Sequence, residues 1–477
     1  MDIGINSDMT GKRQFPDDFI WGAATASYQI EGAANEGGRG PSIWDTFSKT
    51  PGKVLLGHTG DVACDHFHRY ESDVKLMADL GIKSYRFSLA WPRVMPEKGR
   101  YLESGFDFYK RLIEQLHKHG ITPAATIYHW DLPQWIEDEG GWSNRAVVDY
   151  YKEFAEQAFK ALGDDVPFWI THNEPWCASL LSYGIGEHAP GLKDWRRAYR
   201  AAHHILLSHG EAVKLYRELG LKGQIGITLN LTPAYPASDS PEDIAAQQRQ
   251  DAFSNRWFLD PIFKGEYPAD FMPRVERFCG DLNVIQPGDM ETISVPQDFL
   301  GINFYTRSVV KDDPADDSLI SVHGVPTDNP VTDMGWEIYP DALYDLLHRL
   351  KNEYTDLPIY ITENGAANAD AIVNGEVEDT PRIDYVRQHL DAAHRFIQEG
   401  GNLKGYYLWS LMDNFEWAFG YTKRFGIIYV DYETQVRTPK ASFHWYRQVI
   451  ENNGLTDKLA AAENLYFQGL EHHHHHH

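Results

Sequence analysis

The sequence predicts an α/β protein built as a single closed (β/α)8 barrel, with long loops at the carboxyl ends of its strands. Two patterns predict this fold. Short apolar runs alternate with longer stretches of helical period, as in a parallel sheet that helices cover on both faces. The apolar runs number eight, which favours closure into a barrel over the alternative, an open doubly wound sheet.

The predicted elements follow one another along the whole chain. Strands are predicted at residues 19–24, 85–91, 122–129, 168–173, 224–230, 298–305, 358–364 and 403–413. Amphipathic helices are predicted at residues 72–80, 107–119, 146–162, 195–219, 341–351 and 383–398. Two segments fit neither pattern and are predicted to be long loops over one face of the barrel, residues 48–60 and 311–334.

The predicted strands end in polar or aromatic residues that a buried strand does not need. These endings are Arg86 and Trp91, the segment 129–131, Asn173 and Glu174, Asn230, Asn303 and Tyr305, Glu363 and Asn364, and Trp409 and Asp413. One such ending is ordinary, because strands lead into turns. Together they predict a functional site at one mouth of the barrel, since active sites of (β/α)8 proteins gather at the carboxyl ends of the strands.

The carboxyl-terminal residues have the pattern of a cloning and purification tail. Residues 463–469 read Glu-Asn-Leu-Tyr-Phe-Gln-Gly, a viral-protease cleavage site, and a run of histidines follows. We predict that residues 458–477 are vector scar, protease site and purification tag. Residues 1–457 are predicted to form one (β/α)8 domain.

Charge, cysteine content and the lack of long apolar runs exclude several functional classes. The net charge of −25 disfavours binding to nucleic acid or anionic membranes. Three widely spaced cysteines indicate neither a disulfide framework nor a metal site. No apolar run resembles a signal segment or is long enough to span a bilayer. We therefore expect a cytoplasmic protein with no nucleic-acid or membrane partner, and its oligomeric state stays open.

Two glutamates at strand ends suggest a chemistry. Hydrolysis of a glycosidic bond needs two carboxyl groups that flank the bond, and Glu174 and Glu363 each end an apolar strand. A lone glutamate at such a place is usually a solvated loop residue. The barrel would bring the fourth and seventh strands to one mouth. An aromatic content of 13% adds mild support, because sugars stack on aromatic rings.

The segments around these glutamates resemble glycoside hydrolase family 1, the group that contains the β-glucosidases. Residues 171–175 read Thr-His-Asn-Glu-Pro and residues 361–365 read Ile-Thr-Glu-Asn-Gly. Residues 19–32 resemble the opening signature of that family. Further matching segments are 85–88, 128–131 and 407–410. The motifs occur in the family's order, and the resemblance runs from about residue 15 to residue 450.

The resemblance implies a retaining, exo-acting β-glycosidase, most simply a β-glucosidase that acts on cellobiose, short oligosaccharides or aryl and alkyl glucosides. Glu363 would form a covalent glycosyl-enzyme, and Glu174 would act first as acid and then as base. Arg86 and Tyr305 would hold the nucleophile ionised, and Asn303 completes the implied catalytic set. No cofactor and no metal are implied.

The resemblance also implies the residues of the substrate pocket. Hydroxyl groups of the glycone would be bound by Gln29, His129, Trp130, Asn173, Glu416 and Trp417. Trp409 would be the stacking floor, and Asn230, Trp336 and Phe425 complete the implied substrate-binding set. The aglycone side would be lined by Trp176, Cys177, Leu181 and Trp336.

Three positions refine the expected substrate. Relatives that act on 6-phosphorylated sugars carry a Ser/Lys/Tyr clamp where this chain has Glu416, which favours free hydroxyls. Thioglucosidase relatives have Gln in place of the acid/base, and this chain has Glu174. His172 stands where Phe or Leu is common, and its side chain is expected to point away from the substrate, with tuning of Glu174 as the alternative.

Other functions fit the sequence less well. A catalytically inactive glycan-binding module would lack one of the two glutamates. A metal-dependent hydrolase would need a ligand cluster, and a nucleotide-binding enzyme would need a Gly-rich loop that opens a helix. A preference for β-galactosides or β-fucosides, or transglycosylation, stays open within the resemblance.

Overall fold

The computed structural model describes residues 12–456 of the chain. The ends, residues 1–11 and 457–477, lie outside the described range. The predicted vector scar, protease site and tag therefore fall outside it as well.

Eight parallel strands close into a barrel, as predicted. In chain order they are β1 (Ile20–Ala24), β2 (Ser84–Ser88), β3 (Thr122–Tyr128), β4 (Phe168–Asn173), β5 (Gln224–Asn230), β6 (Phe299–Asn303), β7 (Ile359–Asn364) and β8 (Leu403–Trp409). Each strand pairs with the next, and β8 pairs in parallel with β1. The predicted fold class is confirmed.

One helix packs outside the barrel after each strand. These helices are α1 (His66–Leu80), α2 (Asp107–Lys118), α3 (Ala146–Leu162), α4 (Trp195–Glu218), α5 (Trp257–Lys264), α6 (Asp341–Glu353), α7 (Thr380–Gln398) and α8 (Ala441–Asn452). The predictions omitted α5 and α8. Pro261 lies inside α5, and a π-helical turn at Ala252–Arg256 precedes it, so the helical period is broken there.

Shorter helices and strands lie in the segments that connect the barrel strands and the main helices. The short helices are Ser27–Ile30, Ile43–Lys49, Trp91–Val94, Gln134–Asp138, Pro241–Asp251, Met272–Cys279 and Asp289–Ile293. The single turns of 3-10 helix are Leu55–Gly57, Glu103–Phe106, Gly141–Ser143, Gly163–Asp165 and Trp417–Phe419, and a longer π-helical segment is Cys177–Ile185. Two antiparallel pairs of short strands join Arg13–Gln14 to Gly454–Leu455 and Ile428–Val430 to Arg437–Pro439.

Several predicted boundaries were wrong. The predicted strand 85–91 ends at Ser88, because a helix with Pro92 in its first turn begins at Trp91. The predicted strand 403–413 ends at Trp409.

The predicted loop at residues 311–334 contains part of a small sheet. Strand Ser308–Asp312 lies at its centre, between Ala234–Pro236 and Val322–Gly324. Its partners come from distant parts of the chain, so local periodicity could not reveal the pairing. The predicted loop at residues 48–60 likewise contains the single turn Leu55–Gly57.

Aromatic side chains fill the amino-terminal end of the barrel. The rings of Phe168 and Phe299 stack 4.1 Å apart, and Tyr360 packs edge-on against both. A Cβ at Gly22 would lie 2.5 Å from the ring of Tyr407, so only glycine fits at this point of β1. The packed end leaves the carboxyl end of the barrel as the place for a pocket. None of the helices between residues 12 and 456 is both long and apolar enough to cross a bilayer.

Candidate active site

A cavity of about 420 Å³ opens at the carboxyl ends of the barrel strands. The structure brings most of the predicted site residues to its wall. These are His129, Trp130, Asn173, Glu174, Asn230, Asn303, Tyr305, Trp336, Glu363, Trp409, Glu416, Trp417 and Phe425. Gln29 and Arg86 do not line the cavity and lie buried behind it.

Glu363, near the end of β7, receives a hydrogen bond on each of its carboxylate oxygens. Its Oε2 accepts a hydrogen bond from Arg86 Nη1 at 2.8 Å, and its Oε1 accepts one from the Tyr305 hydroxyl at 2.6 Å. Arg86 is fully buried, so water screens this ion pair little. Both carboxylate oxygens are therefore held by donors that favour the ionised form.

Glu174 follows β4 and has different surroundings. Its Oε2 accepts a hydrogen bond from Asn303 Nδ2 at 2.7 Å, and its Oε1 accepts one from the Cys177 thiol at 3.2 Å. Neither donor carries a charge. The backbone of Glu174 has φ 53°, a left-handed conformation that costs about 1 to 3 kcal/mol in a residue with a side chain. The surrounding structure thus holds this carboxyl group in place against a local preference.

The two glutamates share one hydrogen-bonded network. Asn173 Oδ1 accepts from Arg86 Nη2 at 2.7 Å and from Asn303 Nδ2 at 3.0 Å. These two donors determine the orientation of the Asn173 amide, so its Nδ2 donates to His129 Nε2 at 3.0 Å. Since Nε2 of His129 accepts, the ring proton is on Nδ1.

The pKa values follow from these surroundings. Burial raises the pKa of Glu174 to about 7, and the charge of Glu363 adds to the rise, while hydrogen bonds from Asn303 and Cys177 oppose it. Burial also raises the pKa of Glu363, but the charge of Arg86 and the hydrogen bond from Tyr305 counter that rise. When the pair holds one proton, the proton therefore resides on Glu174 and the charge on Glu363.

Two further titratable groups, Glu416 and His129, line the cavity with Glu174 and Glu363. We call this part of the cavity the inner pocket. Burial raises the pKa of Glu416 to about 8, and the charges of Glu363 and Glu174 contribute to that rise. Burial and the charge of Arg86 hold the pKa of His129 well below its usual value. His129 is thus a neutral hydrogen-bonding group at physiological pH.

Aromatic rings surround the inner pocket. His129 stacks at 6.1 Å from Trp409 and at 5.9 Å from Trp417. Trp130 lies 4.6 Å from Trp417 and donates its indole N–H to the backbone oxygen of Asn173 at 2.9 Å. Flat apolar faces beside polar groups suit a pyranose, which has both C–H faces and hydroxyl groups.

Gln29 acts behind this aromatic wall. Its Nε2 donates to Asn414 Oδ1 at 3.1 Å and to the backbone oxygen of Phe415 at 2.9 Å. Gln29 therefore holds the segment that precedes Glu416 and Trp417. Its Oε1 has no hydrogen-bond partner within residues 12–456.

The outer part of the cavity is mostly apolar. The ring of Trp336 lies 5.4 Å from Tyr305 and 6.2 Å from Phe425. Trp176, Cys177 and Leu181, for which the resemblance implies a place on the aglycone side, also line the cavity. Asn230 lies at the end of β5, and its Oδ1 has no partner in the described part of the chain.

His172 lies on the outer side of β4. Its Nε2 hydrogen-bonds to Ser208 Oγ of α4 at 2.7 Å, and its ring stacks on Tyr151 of α3 at 4.6 Å. It does not line the cavity. The side chain points away from the pocket, as expected.

Sequence reasoning missed several lining residues. These are Glu187, His188, Leu231, Thr232, Thr306, Met334 and Phe419. His188 packs at 5.1 Å from Trp130, yet it lies in a loop with no strand-end pattern around it. A search for aromatic and histidine side chains near the predicted strand ends would have found only some of them.

Among residues 12–456, the cavity wall has no lysine or arginine that could hold a phosphate. Four glutamates line it, namely Glu174, Glu187, Glu363 and Glu416, whereas no lysine or arginine among the described residues does. Within residues 12–456, no three His, Cys, Asp or Glu side chains converge as ligands of a metal ion.

Comparison with known proteins gives one consistent family. Residues 11–455 match the model of Glycosyl hydrolase family 1. The chain is 53% identical over 446 residues to β-glucosidase A of Acetivibrio thermocellus, covering 93% of this chain and 99% of that protein. It is 47% identical over 463 residues to a bifunctional β-D-glucosidase/β-D-fucosidase of Bifidobacterium breve, covering 92% and 98%.

A solved structure agrees with the sequence comparison. The GH1 β-glucosidase from Exiguobacterium antarcticum B7 aligns with a TM-score of 0.91 at 54% identity, covering 92% of this chain and 99% of that chain. Sequence and structure thus agree over nearly the full length of each relative. The chain belongs to glycosyl hydrolase family 1.

Proposed function

We propose that this protein is a retaining exo-β-glucosidase that releases terminal glucosyl residues from cellobiose, short oligosaccharides or aryl and alkyl β-glucosides. The observation that carries the proposal is the unequal pair of glutamates in one pocket. Glu363 is paired with the buried guanidinium of Arg86, whereas the two donors that residues 12–456 supply to Glu174, Asn303 and Cys177, are neutral. Unequal environments of this kind separate a nucleophile from a general acid.

In the first step, the Glu363 carboxylate attacks the anomeric carbon as the bond to the aglycone oxygen breaks. Glu174 gives its proton to that oxygen, so the aglycone leaves as a neutral alcohol. Arg86 and Tyr305 aim the attacking carboxylate. The product of this step is a glucosyl ester of Glu363.

In the second step, water displaces Glu363 from the anomeric carbon and Glu174 takes the proton of that water. Esterification removes the negative charge of Glu363, which contributes to the raised pKa of Glu174. The pKa of Glu174 therefore falls when the ester forms. The same residue can then serve as a base.

Glucose recognition is assigned to the inner pocket. We assign the hydroxyl groups to His129, Trp130, Asn173, Glu416 and Trp417, with Trp409 as the stacking surface. Gln29, which lies behind the cavity wall, would support this set by holding the segment before Glu416, and its Oε1, unpaired among residues 12–456, is the atom that it could offer to a hydroxyl. Asn303 would orient Glu174 through its amide. The acidic lining favours free hydroxyls over a 6-phosphate. Asn230, Trp336 and Phe425 are assigned to the outer part of the pocket.

A second candidate function is a preference for β-fucosides or β-galactosides. The Bifidobacterium breve relative is described as acting as both a glucosidase and a fucosidase. These sugars differ from glucose at C4, and fucosides also at C6, where Glu416 is assigned. Relative kcat/KM values on the three p-nitrophenyl glycosides separate these functions.

We further propose that residues 1–457 act as one catalytic domain. A cytoplasmic role in the breakdown of cellulose-derived or other β-linked oligosaccharides fits the proposed substrate. Activity on cellobiose by a chain cut after residue 457 tests the domain proposal. Full loss of activity on that removal would contradict it.

Azide rescue tests the roles of the two glutamates. The wild-type protein, Glu363→Ala and Glu174→Ala are assayed on aryl β-D-glucosides, and we expect a chelator to leave wild-type turnover unchanged. In azide, Glu363→Ala should yield the α-glucosyl azide, because azide occupies the face that the nucleophile vacates. Glu174→Ala should yield the β-azide by attack on the glucosyl ester.

The outcome that contradicts the proposal is full activity in either variant. An exchange of the two azide products would reverse the assigned roles. Absence of turnover on every aryl β-glycoside by the folded wild-type protein would favour a glycan-binding function.

A further inference from the structure

The Glu174 carboxyl group is held by two partners of different chemistry. Oε2 accepts from the Asn303 amide at 2.7 Å, and Oε1 accepts from the Cys177 thiol at 3.2 Å. Cys177 begins the π-helical segment that follows β4, one turn after Glu174. It is 8% exposed and lines the cavity. The thiol therefore lies beside Glu174 on the wall of the proposed substrate pocket.

The Asn303 amide can act on Glu174 only as a donor. Asn303 Oδ1 accepts from Thr362 Oγ1 at 2.7 Å, and Nδ2 also donates to Asn173 Oδ1 at 3.0 Å. These bonds determine the orientation of the amide. Oε2 of Glu174 thus faces an N–H group in every protonation state.

The Cys177 thiol is different, because it is both a weak donor and a weak acceptor. Rotation about the Cβ–Sγ bond moves its proton toward Oε1 or away from it. The thiol can stabilise a carboxylate at Oε1 and can also turn away when that oxygen carries a proton. Of the two partners, only the thiol can follow the protonation change of Glu174.

We propose that Cys177 is a positioning residue for Glu174, whose thiol donates to Oε1 in the ionised state and releases that oxygen when it carries the proton for the aglycone. This inference rests on the proposed function, in which Glu174 is the acid/base. It assigns proton transfer to Oε1 and leaves Oε2 as the anchored oxygen.

Cys177 acts in this scheme as a neutral thiol. Burial raises the pKa of Cys177 well above its usual value, and the charges of Glu174 and Glu363 add to the rise. A thiolate at this position is therefore unfavourable, and the sulfur is a hydrogen-bonding group rather than a nucleophile.

Several charged or titratable groups face Glu174 from the surrounding elements. They are Glu363 from β7, Arg86 from β2, Tyr305 after β6, Glu416 after β8 and Cys177 itself. The carboxylates favour protonated Glu174, whereas Arg86 and the two hydrogen bonds favour the ionised form. Removal of the thiol takes away one stabiliser of the ionised form, so the pKa of Glu174 should rise.

The test compares Cys177→Val with Cys177→Ser. Valine has a similar volume but no donor, and serine keeps a donor. On p-nitrophenyl β-D-glucoside, the basic limb of kcat/KM reports the loss of the acid form of Glu174. In Cys177→Val this limb should move to higher pH by about half a unit, since a thiol hydrogen bond is weak. Cys177→Ser should keep the limb near the wild-type position.

The leaving group supplies a second readout. Methyl β-D-glucoside needs a proton on its departing oxygen, whereas 2,4-dinitrophenyl β-D-glucoside does not. Cys177→Val should lose roughly threefold in kcat/KM on the first substrate, because half a pKa unit of lost carboxylate stabilisation corresponds to a factor of about three. It should lose less than about twofold on the second. A merely structural defect would lower both values equally and leave the limb in place, which would overturn the proposal.

Two controls make the outcome specific. Cys279→Val removes a thiol outside the cavity and should match wild type in both readouts. Glu174→Ala should show the same dependence on the leaving group in a stronger form. Failure of that dependence in Glu174→Ala contradicts the proposed function itself. If Glu174→Ala shows the dependence on the leaving group but Cys177→Val behaves as wild type in both readouts, only the role of Cys177 is contradicted.

Discussion

The inner and outer parts of the pocket are built in different ways. Inner residues lie at the ends of barrel strands and bind one another, as Arg86 does with Glu363 and Asn173. Arg86 is 0% exposed and Asn173 is 1% exposed. The outer rim, which includes Trp336 and Phe419, consists of loop residues. Phe419 is 41% exposed. The barrel thus determines the geometry of the reacting groups, while loops determine what surrounds the aglycone.

The carboxylate of Glu337 holds the loop segment that carries Trp336. Glu337 forms a two-bond ion pair with Arg307, at 2.9 and 3.0 Å. It also accepts from Thr327 at 2.6 Å and from Asn329 at 2.7 Å. Trp336, the next residue in the chain, forms part of the cavity wall. The rim therefore depends on contacts that lie outside the barrel.

The largest effect is expected from Arg86→Met, which removes the cation of the inner network. Glu363 would lose its charge partner, so its pKa should rise. Because attack needs ionised Glu363, the acidic limb of kcat/KM should move to higher pH. We expect a loss on the order of 10³-fold in kcat/KM on p-nitrophenyl β-D-glucoside, measured from pH 4 to pH 9.

Arg86→Lys is the matched control, since it keeps the charge but not the planar fork of donors. It should retain more activity than Arg86→Met and shift the acidic limb less. Thermal unfolding followed by circular dichroism shows whether each variant is folded. A folded Arg86→Met variant with a wild-type acidic limb would contradict the assigned role of this arginine.

A smaller effect is expected from Glu337→Ala, which releases the rim but leaves the inner network intact. KM for cellobiose should rise roughly fivefold, as expected for partial loss of one aromatic contact at Trp336. The kcat on cellobiose should change less than about twofold, because no contact of Glu174 or Glu363 is removed. Steady-state kinetics on cellobiose and methyl β-D-glucoside measures both quantities.

Asp345→Ala is a suitable control for the rim. Asp345 accepts a hydrogen bond from Tyr235 at 2.7 Å, is exposed, and does not line the cavity. It should leave both kinetic constants near wild type. A fall of kcat on methyl β-D-glucoside in Glu337→Ala as large as the rise of KM for cellobiose would contradict the separation of rim and inner pocket.

The same division explains which features the sequence could predict. Strand-end residues such as Glu174 and Glu363 follow apolar runs and fall in recognisable motifs, so local pattern was enough to find them. His188 and Met334 come from loops whose course depends on distant partners. The predicted loop at residues 311–334 misses part of the small sheet around Ser308–Asp312 for the same reason.

Hydrogen bonding across the barrel is also hidden from local pattern. The Cys177 thiol and the Asn303 amide meet at Glu174, although Asn303 lies more than a hundred residues away in the chain. The family resemblance implies a place for Cys177 on the aglycone side. The sulfur reaches Oε1 because Cys177 begins the π-helical segment one helical turn after Glu174.

The most direct test of the assignment is to trap the covalent intermediate on the wild-type protein. A 2-deoxy-2-fluoro-β-D-glucoside with a dinitrophenyl leaving group should react once per active site, because the fluorine slows hydrolysis of the ester. Peptide mapping by mass spectrometry should then find the 2-fluoroglucosyl group on Glu363. An adduct on Glu174, or complete turnover through an inverted product with no adduct, would contradict the account.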